Sequence, residues 1–153
     1  MLKNIQVTAW SRNFLLTAIL LAIPALIAAC FHTSPQGGPL TAENETLKIT
    51  HSAPATAKMG QPFTVQVTVK VKKSIQAVSV REQLSGLSLV DVGDFQGIDQ
   101  NVLRGFVLNP KAGDTQVFTY KAQCPAAITY QLVGFAETQG AGVMETAKIK
   151  CDN

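Results

Sequence analysis

Histidine is almost missing from this chain: His32 and His51 are the only two. Neither has a cysteine or carboxylate at a metal-ligand spacing, so no metal site is expected. A serine nucleophile would have to recruit His51, and no strand-to-helix elbow of the G-x-S-x-G kind is present. Charge is also scarce. Asp, Glu, Lys and Arg make up 15% of 153 residues, against about a quarter in an ordinary domain. Thirteen basic against ten acidic residues leave +3, without the clustered basic face that nucleic acid requires. Helical periodicity and internal repeats are absent too. The expectation is therefore not an enzyme, with no cofactor, no metal and no nucleic-acid partner.

Two small charge groups remain. Asp91, Asp94 and Asp99 cluster in "DVGDFQGIDQ", but their spacing is not that of an EF-hand loop. They read as turn formers in a solvated connection. Lys70, Lys72 and Lys73, with Lys148 and Lys150, could meet anionic headgroups. They also fit the wet face or guarded edge of a sheet.

No apolar run is long enough for a comfortable membrane span. The uninterrupted part, Ala18 to Ala29, falls short of the roughly twenty residues needed. Pro24 inside it would cost a helix about 3 kcal/mol. Lys3 and Arg12 precede it and small residues end it, which is the layout of a secretory signal. "LIAAC", Leu26 to Cys30, resembles the lipobox of bacterial lipoproteins. That resemblance implies cleavage before Cys30 and a diacylglycerol on its thiol. Phe31 in place of Asp implies the outer membrane where there are two. A signal cut after Ala29, or an uncleaved anchor, are the alternatives. Residues 1–29 are thus read as signal peptide. Residues 30–46, holding "TSPQGGPLTAENE", are read as a lipidated N-terminus and flexible tether. Asn44-Glu45-Thr46 matches a glycosylation triplet, with little weight beside a bacterial lipobox.

From Leu47 the dominant period is two. In "FTVQVTVKVK", Phe63, Val65, Val67, Val69 and Val71 share one face and polar residues the other. Further strands are expected at 47–51, 76–84, 87–92, 102–108, 115–124, 128–137 and 143–151, each bounded by Gly, Pro or Asn turns. Strand 128–137 is apolar on both faces, as a central strand would be. The predicted fold is all-β: an immunoglobulin-like antiparallel β-sandwich of seven or eight strands over 47–153.

Strand parity points Cys124 inward with Phe118, Tyr120 and Ala122. It points Cys151 inward with Val143, Ala147 and Ile149. A Cys124–Cys151 disulfide is expected in an exported chain, with two reduced thiols as the alternative. Cys30 is then the cysteine left for lipid. His51 is expected to end a strand in solvent. The long loop carrying Phe95, Ile98 and Phe106 is the candidate partner contact, unless it folds back onto the sandwich.

Met59–Val69, Val78–Val90 and Leu108–Tyr120 together resemble the conserved-repeat immunoglobulin-like domain of bacterial surface and outer-membrane proteins. That family has no assigned activity. The expected function is a lipid-anchored cell-envelope protein whose one domain binds an envelope protein or serves as an accessory subunit. A surface-layer building block and a ligand-binding protein or enzyme without a recognisable motif are the alternatives. Replacing Cys30 tests the anchor: Cys30→Ala should abolish radiolabelled palmitate incorporation and release the chain from membranes. Unchanged labelling would refute lipidation.

Overall fold

The structure is a computed structural model, and it describes residues 39–153. The signal-peptide and Cys30 readings lie outside the described residues. Alternation of small apolar and polar residues dictates strands, and these residues form eleven strands and no helix. They are β1 (Leu40–Glu43), β2 (Leu47–Ser52), β3 (Thr56–Lys58), β4 (Pro62–Val71), β5 (Ala77–Gln83) and β6 (Ser88–Asp91). β7 (Gly97–Asp99), β8 (Val102–Leu108), β9 (Thr115–Gln123), β10 (Thr129–Thr138) and β11 (Ala141–Asp152) complete the set.

Two sheets face each other. One has the order β1-β2-β4-β9-β6 and the other β3-β11-β10-β5-β8-β7. Every pairing is antiparallel except β3 with β11. The inward residues of β2, β4 and β9 meet those of β5, β8, β10 and β11 in one core. Leu47, Ile49, Val65, Val67, Val69, Val78, Val80, Leu103, Leu132 and Ile149 are each wholly buried there. This is the all-β immunoglobulin-like sandwich expected from the sequence.

Three strands were not expected: β1, β3 and β7. All are edge strands of three or four residues, too short to display a period. β1 corrects the tether reading, since Leu40–Glu43 pairs with Lys48–His51. The turn between them is built by Asn44, whose Oδ1 accepts the Thr46 and Leu47 N–H groups at 2.8 Å each. The Asn44 amide nitrogen donates to the Gly142 carbonyl at 3.1 Å. The glycosylation triplet is therefore a structural turn. Lys72 and Lys73 dock on it, at 3.2 Å from Glu43 and 3.0 Å from Glu45. Those two lysines are matched by carboxylates and are not a loose basic patch.

The four outer strands β1, β6, β3 and β7 are the shortest in the fold. Short edges limit strand addition by other chains, and β6 carries a register shift between Leu89 and Asp91 besides. What remains open on this molecule is its faces rather than its edges.

Cys124 and Cys151 form the expected disulfide, with Cα atoms 6.0 Å apart. Both are buried. The bond joins the end of β9 in one sheet to β11 in the other, and the Cys151 N–H donates to the Ile128 carbonyl at 2.9 Å. Its sequence separation is 27, for which loop-closure entropy gives about 3–4 kcal/mol. Intact-mass measurement should find two more alkylatable thiols after reduction than before. Cys124→Ala/Cys151→Ala should lower unfolding free energy by about that amount. Two free thiols before reduction would remove the bridge.

Candidate functional site

The site that parity reasoning missed lies in the core. Three strands carry an ionisable residue at an inward position. His51 follows Leu47 and Ile49 on β2, Glu82 follows Val78 and Val80 on β5, and Glu145 sits between Val143 and Ala147 on β11. His51 and Glu82 are 1% and 0% exposed, and Glu145 is 8% exposed. His51 Nε2 lies 3.1 Å from Glu82 Oε1, and Nδ1 lies 3.4 Å from Glu145 Oε2. Tyr120 on β9 donates its hydroxyl to Glu82 Oε1 at 2.8 Å. His51 and Tyr120 belong to one sheet and the two glutamates to the other, so the cluster spans the sandwich. This corrects the expectation that His51 ends a strand in solvent. The edge strand β1 covers it, pairing Leu40 with His51.

Gly134 makes room for the group. It takes an inward position on β10, between Leu132 and Ala136. A Cβ there would lie 3.1 Å from Glu82 Oε2, 3.2 Å from Ile49 Cδ1 and 3.6 Å from His51 Nδ1.

The electrostatics follow from burial and pairing. Desolvation alone would push the His51 imidazole down, but the close approach and charge of Glu82, with those of Glu145, hold its pKa above 6.5. Glu145 is raised, first by desolvation, against the opposing pull of His51. Tyr120 is raised far above its ordinary range, first by burial and then by the charge of Glu82. It stays a phenol and acts as a donor. The ring nitrogens approach the two carboxylates at ion-pair distance but out of hydrogen-bond alignment. His51 Nδ1 and Nε2, Glu82 Oε2 and Glu145 Oε2 make no hydrogen bond among the described residues. The carboxylates face different nitrogens of one ring, so they sit on opposite sides of it. Among the described residues, no three His, Cys, Asp or Glu side chains are grouped to hold a metal ion. The arrangement can hold a proton and clamp charge.

The predicted partner loop is divided by the structure. Phe95 is buried, with its ring 5.1 Å from Phe118 and 5.9 Å from Tyr120. It anchors the loop and is not a partner contact. Gly93, at φ 57°, lets the loop approach β9, where an added Cβ would overlap the Thr119 carbonyl. Ile98 and Phe106 are each 48% exposed. Ile98 pairs with Leu103, whose side chain is in the core, whereas Phe106 pairs with Ser79. They lie on opposite faces of the sheet edge and form no joint patch. The three aspartates are separately engaged. Asp91 accepts from the Gly93 N–H, Asp99 pairs with Arg104, and Asp94 accepts from Thr119. The Thr119 hydroxyl and N–H hold the Asp94 carboxyl below its usual range.

Phe106 instead lies on the outer face of the six-stranded sheet. Phe135 pairs with Met144 on one side and Arg81 on the other, while Ser79 pairs with Phe106 and Ala77 with Leu108. Met144 and Leu108 are 56% and 74% exposed. The Arg81 guanidinium lies over the Phe135 ring at 5.4 Å and pairs with Glu137 at 2.8 Å. The outer face of β10 corrects the reading from the sequence: Thr129, Gln131 and Glu137 share it with Val133 and Phe135, so over 129–137 only the inner face is apolar throughout. Phe135 on that outer face is half-buried beneath the Arg81 guanidinium.

No protein-family model matches the chain, and no curated protein matches it. Among solved structures, it is similar to the CARDB domain of a Pyrococcus furiosus protein, crystallised in complex with di-metal ions. The TM-score is 0.50 at 13% identity, over 72% of this chain and 97% of that one. A likeness at that identity is one of fold, and the fold is immunoglobulin-like.

Filling the space beside the cluster should be costly. Gly134→Ala should destabilise the domain by about 1–3 kcal/mol in urea unfolding. Gly142→Ala on the neighbouring strand, whose Cβ would meet nothing closer than 3.7 Å, should stay within about 0.5 kcal/mol. Equal effects would show that Gly134 is not there for packing.

Proposed function

We propose that the chain is a lipid-anchored cell-envelope protein whose sandwich binds another envelope protein through the outer face of the six-stranded sheet. One observation carries the reading: Met144, Phe106 and Leu108 stand exposed on the outer face of one sheet, on either side of Arg81, Arg104 and a half-buried Phe135. Aromatic residues, methionine and arginine are the types enriched at protein interfaces. The opposite outer face, with Thr50, Thr64, Gln66, Thr68 and Lys70 exposed or half-exposed, offers no comparable anchors. The lipobox resemblance at Leu26–Cys30 supports attachment to a membrane, and the buried disulfide accords with an exported location.

A photocrosslinker placed at Met144 in intact cells should give one stoichiometric adduct, and the same probe at Thr68 should give none. Phe106→Asp, at an exposed position, should weaken capture at least tenfold without changing thermal unfolding. Equal adducts from both faces would sink the proposal. A ladder of self-adducts would point instead to a surface lattice.

A further inference from the structure

The buried cluster does more than fill the core. We propose that His51, Glu82, Glu145 and Tyr120 form a proton-dependent clasp between the two sheets, closed while the imidazole is protonated and loosened when it loses its proton. The geometry makes the imidazole the hub. Its two nitrogens address carboxylates from two different strands, β5 and β11, across the sandwich from β2. A neutral imidazole carries one N–H and no charge, so it can serve only one of the two. The other then becomes an unpaired carboxylate in the core or must take up a proton itself.

Among the described residues, Glu82 and Glu145 are the charges acting on the imidazole. The positions paired with His51 are Leu40 on β1 and Val67 on β4. β10 presents Gly134, and Ile49 is the nearest inward residue on β2 itself. β9 contributes Tyr120, which is raised in pKa and remains a neutral donor to Glu82. The set of titratable groups facing the imidazole is therefore Glu82, Glu145 and, through Glu82, Tyr120.

The direction of the pH effect follows. His51 and Glu145 both hold protons more tightly in the folded chain than in the unfolded one. The folded state then carries the excess of protons, and stability falls as pH rises. Glu145 contributes fully below its ordinary 4.5 and loses its contribution as pH climbs through its raised value. His51 contributes fully below 6.5 and loses its contribution above that. Asp94 and Glu45, whose pKa values are lowered, act in the opposite sense, but only as pH falls below their ordinary 3.8 and 4.5. Asp94 and Glu45 therefore add nothing to the pH dependence above about pH 5.

The full chain in detergent micelles supplies two readouts. His32 and His51 are its only histidines, so His32→Gln leaves a single imidazole resonance to follow by NMR. The His51 midpoint should lie above that of His32 measured in the unsubstituted chain; a midpoint at or below it would overturn the proposal. Second, the unfolding equilibrium constant should rise as pH climbs above 6.5, by at most about tenfold per pH unit for one linked proton. Glu145→Gln, which leaves the imidazole one anionic partner, should flatten that rise. An identical pH dependence in both chains would also overturn it. The resonance titration needs no core substitution, so a variant that failed to fold would leave the proposal decidable.

Discussion

The contact between His51 and Glu82 is the constraint around which the rest of this interior is arranged. A carboxylate wholly removed from water is tolerated only with partners. Here the partners come from the opposite sheet: the imidazole of β2 and the hydroxyl of β9. Supplying them fixes the spacing of the sheets at that level and forces a glycine on β10. It also brings Glu145 in from β11 to meet the second ring nitrogen. Above and below, the core reverts to Val, Leu, Ile and Phe, which need only shape. The ionised layer demands particular partners, where the apolar layers demand only volume.

Most of the fold was legible because alternation is a direct image of a sheet with one wet face. All eight expected strands are present, and the Cys124–Cys151 bond, expected from parity together with an exported context, is formed. The missing strands failed for a reason of scale, since three or four residues at an edge cannot show a period. The cluster failed for a different reason. In 76–84 the apolar alternation runs through Val78, Val80 and Leu84, and in 143–151 through Val143, Ala147, Ile149 and Cys151. Glu82 and Glu145 share those parities and were passed over because they are charged. A polar residue standing in step with an apolar series is itself the signal, and three such interruptions, with His51, had to converge. Which of them would meet depends on strand order across two sheets, and alternation does not encode it.

The surface divides by the same logic. Phe95 looked available because it lies in a long polar connection, but Gly93 and Asp94 tie that connection to β9 and bring the ring inside. Phe106 looked like its neighbour in a loop and belongs instead to β8, facing outward with Phe135 and Met144. β10 is central in its sheet, yet being central buries only its edges. Its outer face is covered only when a further layer lies over it, and among the described residues none does. The apolar residues there, Val133 and Phe135, share that face with Thr129, Gln131 and Glu137.

Alternation on β11 has a consequence for how the chain finds its register. Met144, Thr146, Lys148 and Lys150 point outward, while Val143, Glu145, Ala147, Ile149 and Cys151 point inward. A slip of one residue against β10 would turn Lys148 and Lys150 into the interior. The same slip would withdraw Glu145 from the imidazole and Cys151 from its partner thiol. A purely aliphatic strand could slide with modest loss, because one valine packs much like the next. With two lysines, a glutamate and a cysteine set in fixed order, the misaligned pairing is expensive at four positions at once. The ionisable residues thus discriminate among possible alignments of the last two strands, a selectivity that hydrophobic burial alone would not provide.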